Sequence, residues 1–302
     1  MKRGRDALSV YTAAAFKSSG VVLRSYSSSF GLASRLFDDT VRRQVDSVYA
    51  LVRVADEIVD GVASAAGLSV EESRRQLDGF EQEAERAMVT GYSTNLVIHA
   101  FADTARRTGI GTELTRPFFA SMRTDLDQVQ HTPESFTRYV YGSAEVVGLM
   151  CLKCFLYGHP VTAEEAARLE RGARHLGAAF QKINFLRDLA EDFTSLGRSY
   201  FPGVSPANFD ELHKHRLLAD IERDLHESRA VLRGLPVSSR MAVALAQELF
   251  AELAERIRAT PAEELISARI SVPNPVKLRI AAAVLTGRRG LEPAGAAGAV
   301  SP

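Results

Sequence analysis

The sequence contains no tryptophan and only two cysteines in 302 residues. Two thiols cannot staple a chain of this length, which excludes a disulfide scaffold. An excess of one charge is also missing: 37 Lys+Arg stand against 37 Asp+Glu. That balance argues against a surface built to neutralise phosphate backbones, so no nucleic-acid partner is expected. Glycine (21) and proline (11) are too sparse for a collagen-like or low-complexity chain. No apolar run reaches the roughly 20 residues that cross a bilayer. The best candidate, residues 146–157, is short and carries Lys153. The basic start around Lys2, Arg3 and Arg5 lacks a following apolar stretch, so a cytoplasmic protein is expected.

What the chain does have is helical periodicity. From about residue 8 to residue 285 apolar residues recur at spacings of three and four, with no sustained alternation. Breaks are expected at Gly61, Gly67, Gly91, Gly109 to Gly111, Pro117, Pro133, Gly158 to Pro160, Gly197, Pro202, Pro206, Pro236, Pro261 and Pro273. They delimit about ten helices. The expectation is an all-α fold, one helical domain over residues 1–286 and a loose tail over 287–302. No βαβ alternation is visible, so a Rossmann-type nucleotide site, and with it a tight NADPH site, is not expected.

Two acidic segments stand out. In the first, Arg53, Asp56 and Asp60 fall on one side of a helix whose remainder carries Val48, Leu51, Val52, Ala55, Ile58 and Val59. Asp56 and Asp60 lie one turn apart, about 6 Å along the axis. In the second, Gln181, Asn184, Asp188 and Asp192 recur at i, i+3, i+7 and i+11 on one expected helix. Phe180, Ile183, Phe185, Leu186, Leu189 and Phe193 fill the other side. Either segment alone is more often a solvated helix face, with Arg53 and Arg187 in local ion pairs. Together they are two oxygen-rich stripes on helices too apolar to face water, where unpartnered charge is costly. Hard cations such as Mg²⁺ take oxygen ligands. Carboxylate pairs facing each other across a cleft can hold such ions around a diphosphate and stabilise it as it leaves.

At these residues the sequence resembles the squalene/phytoene synthase family of head-to-head prenyl transferases, over most of its length. Ser27, Ser28, Ser29 and Phe30, then Ala33, Ser34, Arg35 and Leu36, are similar to the family's N-terminal diphosphate segment. Residues 49–60 are similar to its first aspartate-rich signature. Residues 184–192, followed by Gly197, Arg198, Ser199, Tyr200, Phe201 and Pro202, are similar to the second. Residues 139–148 match its central substrate helix. The resemblance implies a helical isoprenoid-synthase bundle around a central hydrophobic cavity. It also implies Mg²⁺-dependent condensation of two identical prenyl diphosphates, with Mn²⁺ as an alternative metal. The wording of residues 53–60 points to the bacterial phytoene synthase branch, which couples geranylgeranyl diphosphate without NADPH. The alternatives are a squalene-type synthase acting on farnesyl diphosphate, a terpene cyclase on the same fold, or a non-catalytic helical scaffold. Six buried oxygen-rich side chains have no use in a scaffold.

By residue, the resemblance assigns Asp56, Asp60, Asn184, Asp188 and Asp192 to the metal, and Ser27, Ser29, Arg53, Gln181, Arg187 and Arg269 to the substrate. Tyr139 and Tyr200 become cavity residues near the cation. Three positions depart from the family: Glu145 stands where many members have glycine, Phe250 where relatives carry tyrosine, and Ser28 where some are basic. If Glu145 faces the cavity it bears on the product; if it pairs with a surface cation it is structural.

Other features read as structure. Cys151 and Cys154 form a CxxC with no second ligand pair, and a core helix around them implies inert thiols. Asp125 and Asp127 read as surface ion-pairing groups, although the family carries an acid at Asp125. Lys17, Arg24, Arg35, Arg42 and Arg43 are either plain surface charge or an attraction to anionic lipid heads in a peripheral membrane contact.

Overall fold

A computed structural model describes residues 6–127, 130–191 and 199–290. In chain order the helices are α1 (Ala7–Tyr26), α2 (Ser28–Ala33), α3 (Asp39–Val59), α4 (Val62–Ala65), α5 (Val70–Thr90), α6 (Leu96–Thr108), α7 (Thr112–Asp127), α8 (Pro133–Val140), α9 (Val146–Phe155), α10 (Ala163–Arg187), α11 (Leu189–Glu191), α12 (Glu211–Val231), α13 (Val237–Ala259), α14 (Ala262–Leu265) and α15 (Asn274–Leu285). Ten of them have ten residues or more. No strand occurs among the described residues, only an isolated bridge between Gln130 and Ser199. The all-α expectation therefore holds. No helix among the described residues is long and apolar enough to cross a membrane.

The helix ends follow local chemistry. Asp6, Asp38, Asn95, Thr162 and Asp210 place a side-chain oxygen on the free N–H groups of the first turn. Ser69 and Glu72 cap α5 reciprocally. Pro133 opens α8 at a position where its missing N–H costs nothing. Gly91 and Gly109 close α5 and α6 in the left-handed region, at φ 80° and 73°. Pro117 departs from expectation: it lies inside α7 and does not break it. Only the bond to the Glu113 carbonyl is lost, one turn from the start, and packing on both sides holds the helix together.

Two layers form around the site. α3 packs against α1, α6 and α9 over a core of Val48, Leu51, Phe101, Phe118 and Met150. α10 packs against α12 and α13 over Ile183, Leu186, Leu218 and Ile257. The layers meet where α9 crosses α10 almost backbone to backbone. A Cβ on Gly148 would sit 2.3 Å from the Ala173 carbonyl oxygen, and one on Gly177 would sit 2.4 Å from that of Ala144. Just before this crossing the chain forms a π-turn over Tyr141–Glu145, a wider coil that often accompanies functional positions. Within the stretch expected as a loose tail, Gly290 is buried, and a Cβ there would meet Ala244 at 3.2 Å. Residues 291–302 lie outside the described residues.

Candidate active site

A cavity of about 800 Å³ opens between the two layers. Its walls come from the α1–α2 junction, α3, the π-turn and α9, α10, α13 and the segment leading into α15. The interior is apolar. Phe180 stacks on Phe250 with ring centroids 3.9 Å apart, and Phe30 stands 5.3 Å from Phe250. Phe250 is thus part of an aromatic wall, with no hydroxyl to offer. The mouth is polar: Arg53, Arg187, Arg269 and Lys277 all line it, with Ser27, Ser28 and Ser29 beside them. A narrow amphiphile with an anionic head and an apolar tail fits this division of chemistry.

The structure brings part of both acidic segments to this one cavity, although Asp60 and Asp188 are not among its lining residues. Asp56 lines it from α3; Gln181 and Asn184 line it from α10. Asp60 is the C-cap of α3, and its N–H donates to the Asp56 carbonyl at 2.9 Å. Asp188 is likewise the C-cap of α10, its N–H donating to the Asn184 carbonyl at 2.9 Å. Here the expected geometry needs correcting. The second segment is not one continuous helix through Asp192: α10 ends at Arg187 and the short α11 follows. A carboxylate at a helix C-terminus opposes the helix dipole, and here guanidinium groups hold it. Asp192 itself lies outside the described residues.

The carboxylates are not free. Arg53 Nη1 donates to Asp56 Oδ2 at 2.7 Å and its other amino group engages Glu57. Arg187 Nε donates to Asp188 Oδ1 at 2.9 Å, and Arg269 Nε reaches the same oxygen at 2.8 Å. These are the local ion pairs of the plain reading, assembled around a cavity. Burial, then the neighbouring Asp60 carboxylate, push the Asp56 carboxyl up to about 8, and Arg53 only partly offsets them. Asn184 Oδ1 and Arg53 Nε are buried without a hydrogen-bond partner among the described residues. An orphaned amide oxygen lining the same cavity as Asp56 suits a hard cation, and an orphaned guanidinium N–H suits an anion. No group of three His, Cys, Asp or Glu poised for a metal occurs among the described residues.

Tyr139 and Tyr200 are placed differently from expectation. Neither is among the residues lining the cavity. They lie in a buried aromatic cluster, where Tyr200 stacks on Phe185 at 4.1 Å and His131 stands 4.9 Å from Tyr139. Both phenols converge on Asp125, the Tyr139 hydroxyl at 2.9 Å and the Tyr200 hydroxyl at 3.4 Å. Asp60 is near enough to help raise the Tyr139 phenol, after burial, Asp125 and Tyr200. Asp125 is only 6% exposed, so its reading as a surface group is wrong, whereas Asp127 does pair at the surface with Arg74. The signal was a helical one: Asp125 shares a face with the buried Phe118 and Met122, while Asp127 does not.

Two further positions are settled by contact. Glu145 is not among the residues lining the cavity and accepts a hydrogen bond from Arg174 Nε at 2.6 Å. Lys277 escaped the sequence reading altogether. It reaches Ser28 Oγ at 2.6 Å, and burial together with Arg187 lowers its ammonium. Burial pushes the Cys151 thiol up to about 12 and raises the Cys154 thiol well above its ordinary value, as expected for unreactive cysteines.

Comparison with known proteins agrees with this architecture. The description of the squalene/phytoene synthase family matches residues 23–275. A 15-cis-phytoene synthase of Enterobacter agglomerans is 29% identical over 253 residues, covering 76% of this chain and 82% of its own. A 4,4'-diapophytoene synthase of Staphylococcus haemolyticus is 26% identical over 67% of this chain and 66% of its own. Among solved structures, a dehydrosqualene synthase superposes with a TM-score of 0.77 at 22% identity, covering 93% of this chain and 99% of its own. A squalene synthase of Alicyclobacillus acidocaldarius gives 0.69 at 21% identity, over 83% of this chain and 95% of its own.

Proposed function

The chain belongs to the squalene/phytoene synthase family and is a prenyltransferase; from that premise we propose that it is a Mg²⁺-dependent phytoene synthase. Two geranylgeranyl diphosphates are joined head to head. One loses diphosphate as its allylic carbon bonds to the double bond of the other, and loss of a proton closes the ring to a cyclopropylcarbinyl diphosphate. Loss of the second diphosphate, rearrangement and loss of a second proton then give phytoene. No electrons enter from outside, so no NADPH is needed.

The observation that carries this reading is one cavity, apolar within, whose lining joins Asp56 of the first acidic segment, Gln181 and Asn184 of the second, and four cationic side chains. Asp56, Asp60, Asn184 and Asp188 are the residues to hold Mg²⁺, with Asp192 assigned from the sequence alone. Bound there, Mg²⁺ supplies Lewis acidity that neutralises charge on the departing diphosphate. The chain's own groups do the rest. Arg53, Arg187, Arg269 and Lys277 bind diphosphate oxygens, and the guanidinium groups can do so in bidentate fashion. Gln181, Ser27 and Ser29 orient the head group at the rim. Phe30, Phe180 and Phe250 hold the isoprenoid tail, exclude water and present ring faces to developing positive charge. The phenols of Tyr139 and Tyr200, fixed by Asp125, keep the ground beside Asp60 rigid.

The branch assignment draws on the phytoene synthase relatives, whereas the diapophytoene synthase relative favours a shorter-chain reading. The deciding experiment incubates purified protein with geranylgeranyl or farnesyl diphosphate, with and without Mg²⁺ and NADPH, and identifies the products. Phytoene from geranylgeranyl diphosphate alone is expected, with activity abolished by EDTA and restored by Mg²⁺ or Mn²⁺. Squalene formed with a strict NADPH requirement would reject the phytoene assignment.

A further inference from the structure

Residues 274–290 carry Lys277, Arg279, Arg288 and Arg289 and not one acid. Here α15 turns Ile280, Ala281 and Val284 inward, onto the core that includes α13. Its outer face is not polar. Leu278 is 61% exposed and Leu285 is 58% exposed. With the exposed Ala282 between them, they form one stripe at i, i+4 and i+7. Arg279, Arg288 and Arg289 are exposed beside it. The acid that comes close from α13, Glu248, is already held by Arg229 at 2.6 Å. Single exposed leucines are ordinary, but an apolar stripe flanked only by cations is a surface with a chemical preference.

Its position adds to the case. The stripe starts one residue after Lys277, which lines the cavity mouth together with the exposed Tyr26, Ser28 and Arg269. The N-terminal cations suggested by the sequence are less suited. Arg42 is paired with Asp39, Arg43 Nε donates to the Asp39 carbonyl at 3.0 Å, and Arg24 lies beside the buried Asp46.

We infer that the outer face of α15 docks on anionic phospholipid membranes. Leu278, Ala282 and Leu285 enter the boundary between head groups and acyl chains, while Arg279, Arg288 and Arg289 meet lipid phosphates. Docking brings the cavity mouth against the bilayer. The membrane contact stands without the proposed reaction; only its use, the discharge of an apolar product into lipid, rests on that reading.

The test is co-sedimentation of the full chain with vesicles of phosphatidylcholine, pure or containing one-third phosphatidylglycerol. Binding is expected to the anionic vesicles only, and high salt should release it. Leu278→Glu with Leu285→Glu, and separately Arg279→Glu with Arg288→Glu, should each weaken binding about tenfold or more. Val237→Glu, at a 78% exposed position on α13, should not. Unchanged thermal melts establish that the variants fold, and both pairs should keep full turnover on detergent-dispersed substrate. Failure to sediment with anionic vesicles, or equal binding by parent and both paired variants, would overturn the inference. So would a dimer in size-exclusion chromatography that the leucine substitutions split, since the face would then belong to a second copy. An inactive protein that still binds vesicles would refute the proposed reaction and leave the docking surface intact.

Discussion

Asp60 closes α3 with φ −102° and ψ 21°, and Asp188 closes α10 with φ −101° and ψ 8°. The two acidic segments thus end on the same backbone turn, yet their charges are wired differently. On α3, Asp56 and Glu57 both pair with Arg53, with Asp60 crowding Asp56. On α10, Asp188 alone holds both Arg187 and Arg269. On the first side two carboxylates compete for one guanidinium, a crowding that the proposed cation would relieve. On the other, two guanidinium groups meet one carboxylate, and the proposed diphosphate would draw on them. A sequence motif written twice is therefore not a site built twice: the partners arriving from elsewhere in the chain give each copy its sign.

The largest effect that tests this contrast comes from the carboxylates themselves. Asp56→Ala and Asp188→Ala should each lower turnover at least about a hundredfold, the scale for losing a group that stabilises developing charge. They should part company in metal titrations. Because protonation competes with metal binding, half-saturating Mg²⁺ in the parent should fall as pH rises towards 8, where burial and Asp60 have moved Asp56. The Asp188→Ala variant should keep that dependence and Asp56→Ala should lose it. Identical titrations in both variants would erase the distinction between the two halves.

A smaller loss is expected from Asp125→Asn, which keeps the shape of the site but removes the charge that both phenols meet. Turnover should fall about ten- to a hundredfold through misplacement of neighbouring groups, with the melting temperature little changed. Parent-like rates in the folded variant would make Asp125 a packing residue.

Asp46, on the same helix as Asp56, separates burial from function. It is 6% exposed, and burial raises its carboxyl to about 6 despite Arg24 and Arg42. A carboxyl whose pKa is higher folded than unfolded binds its proton more tightly in the native state. Its favourable contribution is complete below the unfolded value near 4 and declines until pH passes about 6. Asp46→Asn should therefore melt like the parent near pH 4. At pH 8 it should be more stable by about 1–3 kcal/mol. Denaturant unfolding at the two pH values measures the difference, and a variant less stable at pH 8 would contradict the direction.

The smallest effect belongs to Glu145→Gly. Glu145 pairs with a half-exposed Arg174 away from the cavity. The loss should be about 1 kcal/mol of stability, chiefly from glycine in a helical turn. The product distribution should not move; a new product would bring Glu145 back to the chemistry.

How much of this was legible beforehand differs by residue. Helix ends at Gly91, Gly109 and Pro133 were readable because capping is decided within a few residues. So was the sharing of a face by Arg53 and Asp56, which a single helical turn fixes. Pro117 misled because its cost is local while its compensation comes from packing. Asp125 misled for a related reason: a carboxylate in a charged stretch resembles surface until the two tyrosines that meet it, 14 and 75 residues further on, are seen. Lys277 reaches Ser28 across 249 residues of sequence, a distance over which no periodicity carries information. The sequence by itself determined the all-helical class, the family resemblance and the chemical types at the site, since periodicity, caps and motifs are short-range. Only the tertiary structure decided which carboxylate has which arginine, that Glu145 pairs with Arg174, that the tyrosines stand off the cavity wall and that α15 shows leucine and arginine to the outside. Those outcomes depend on burial and on partners brought together by packing, and neither is encoded within a few residues of the groups it governs.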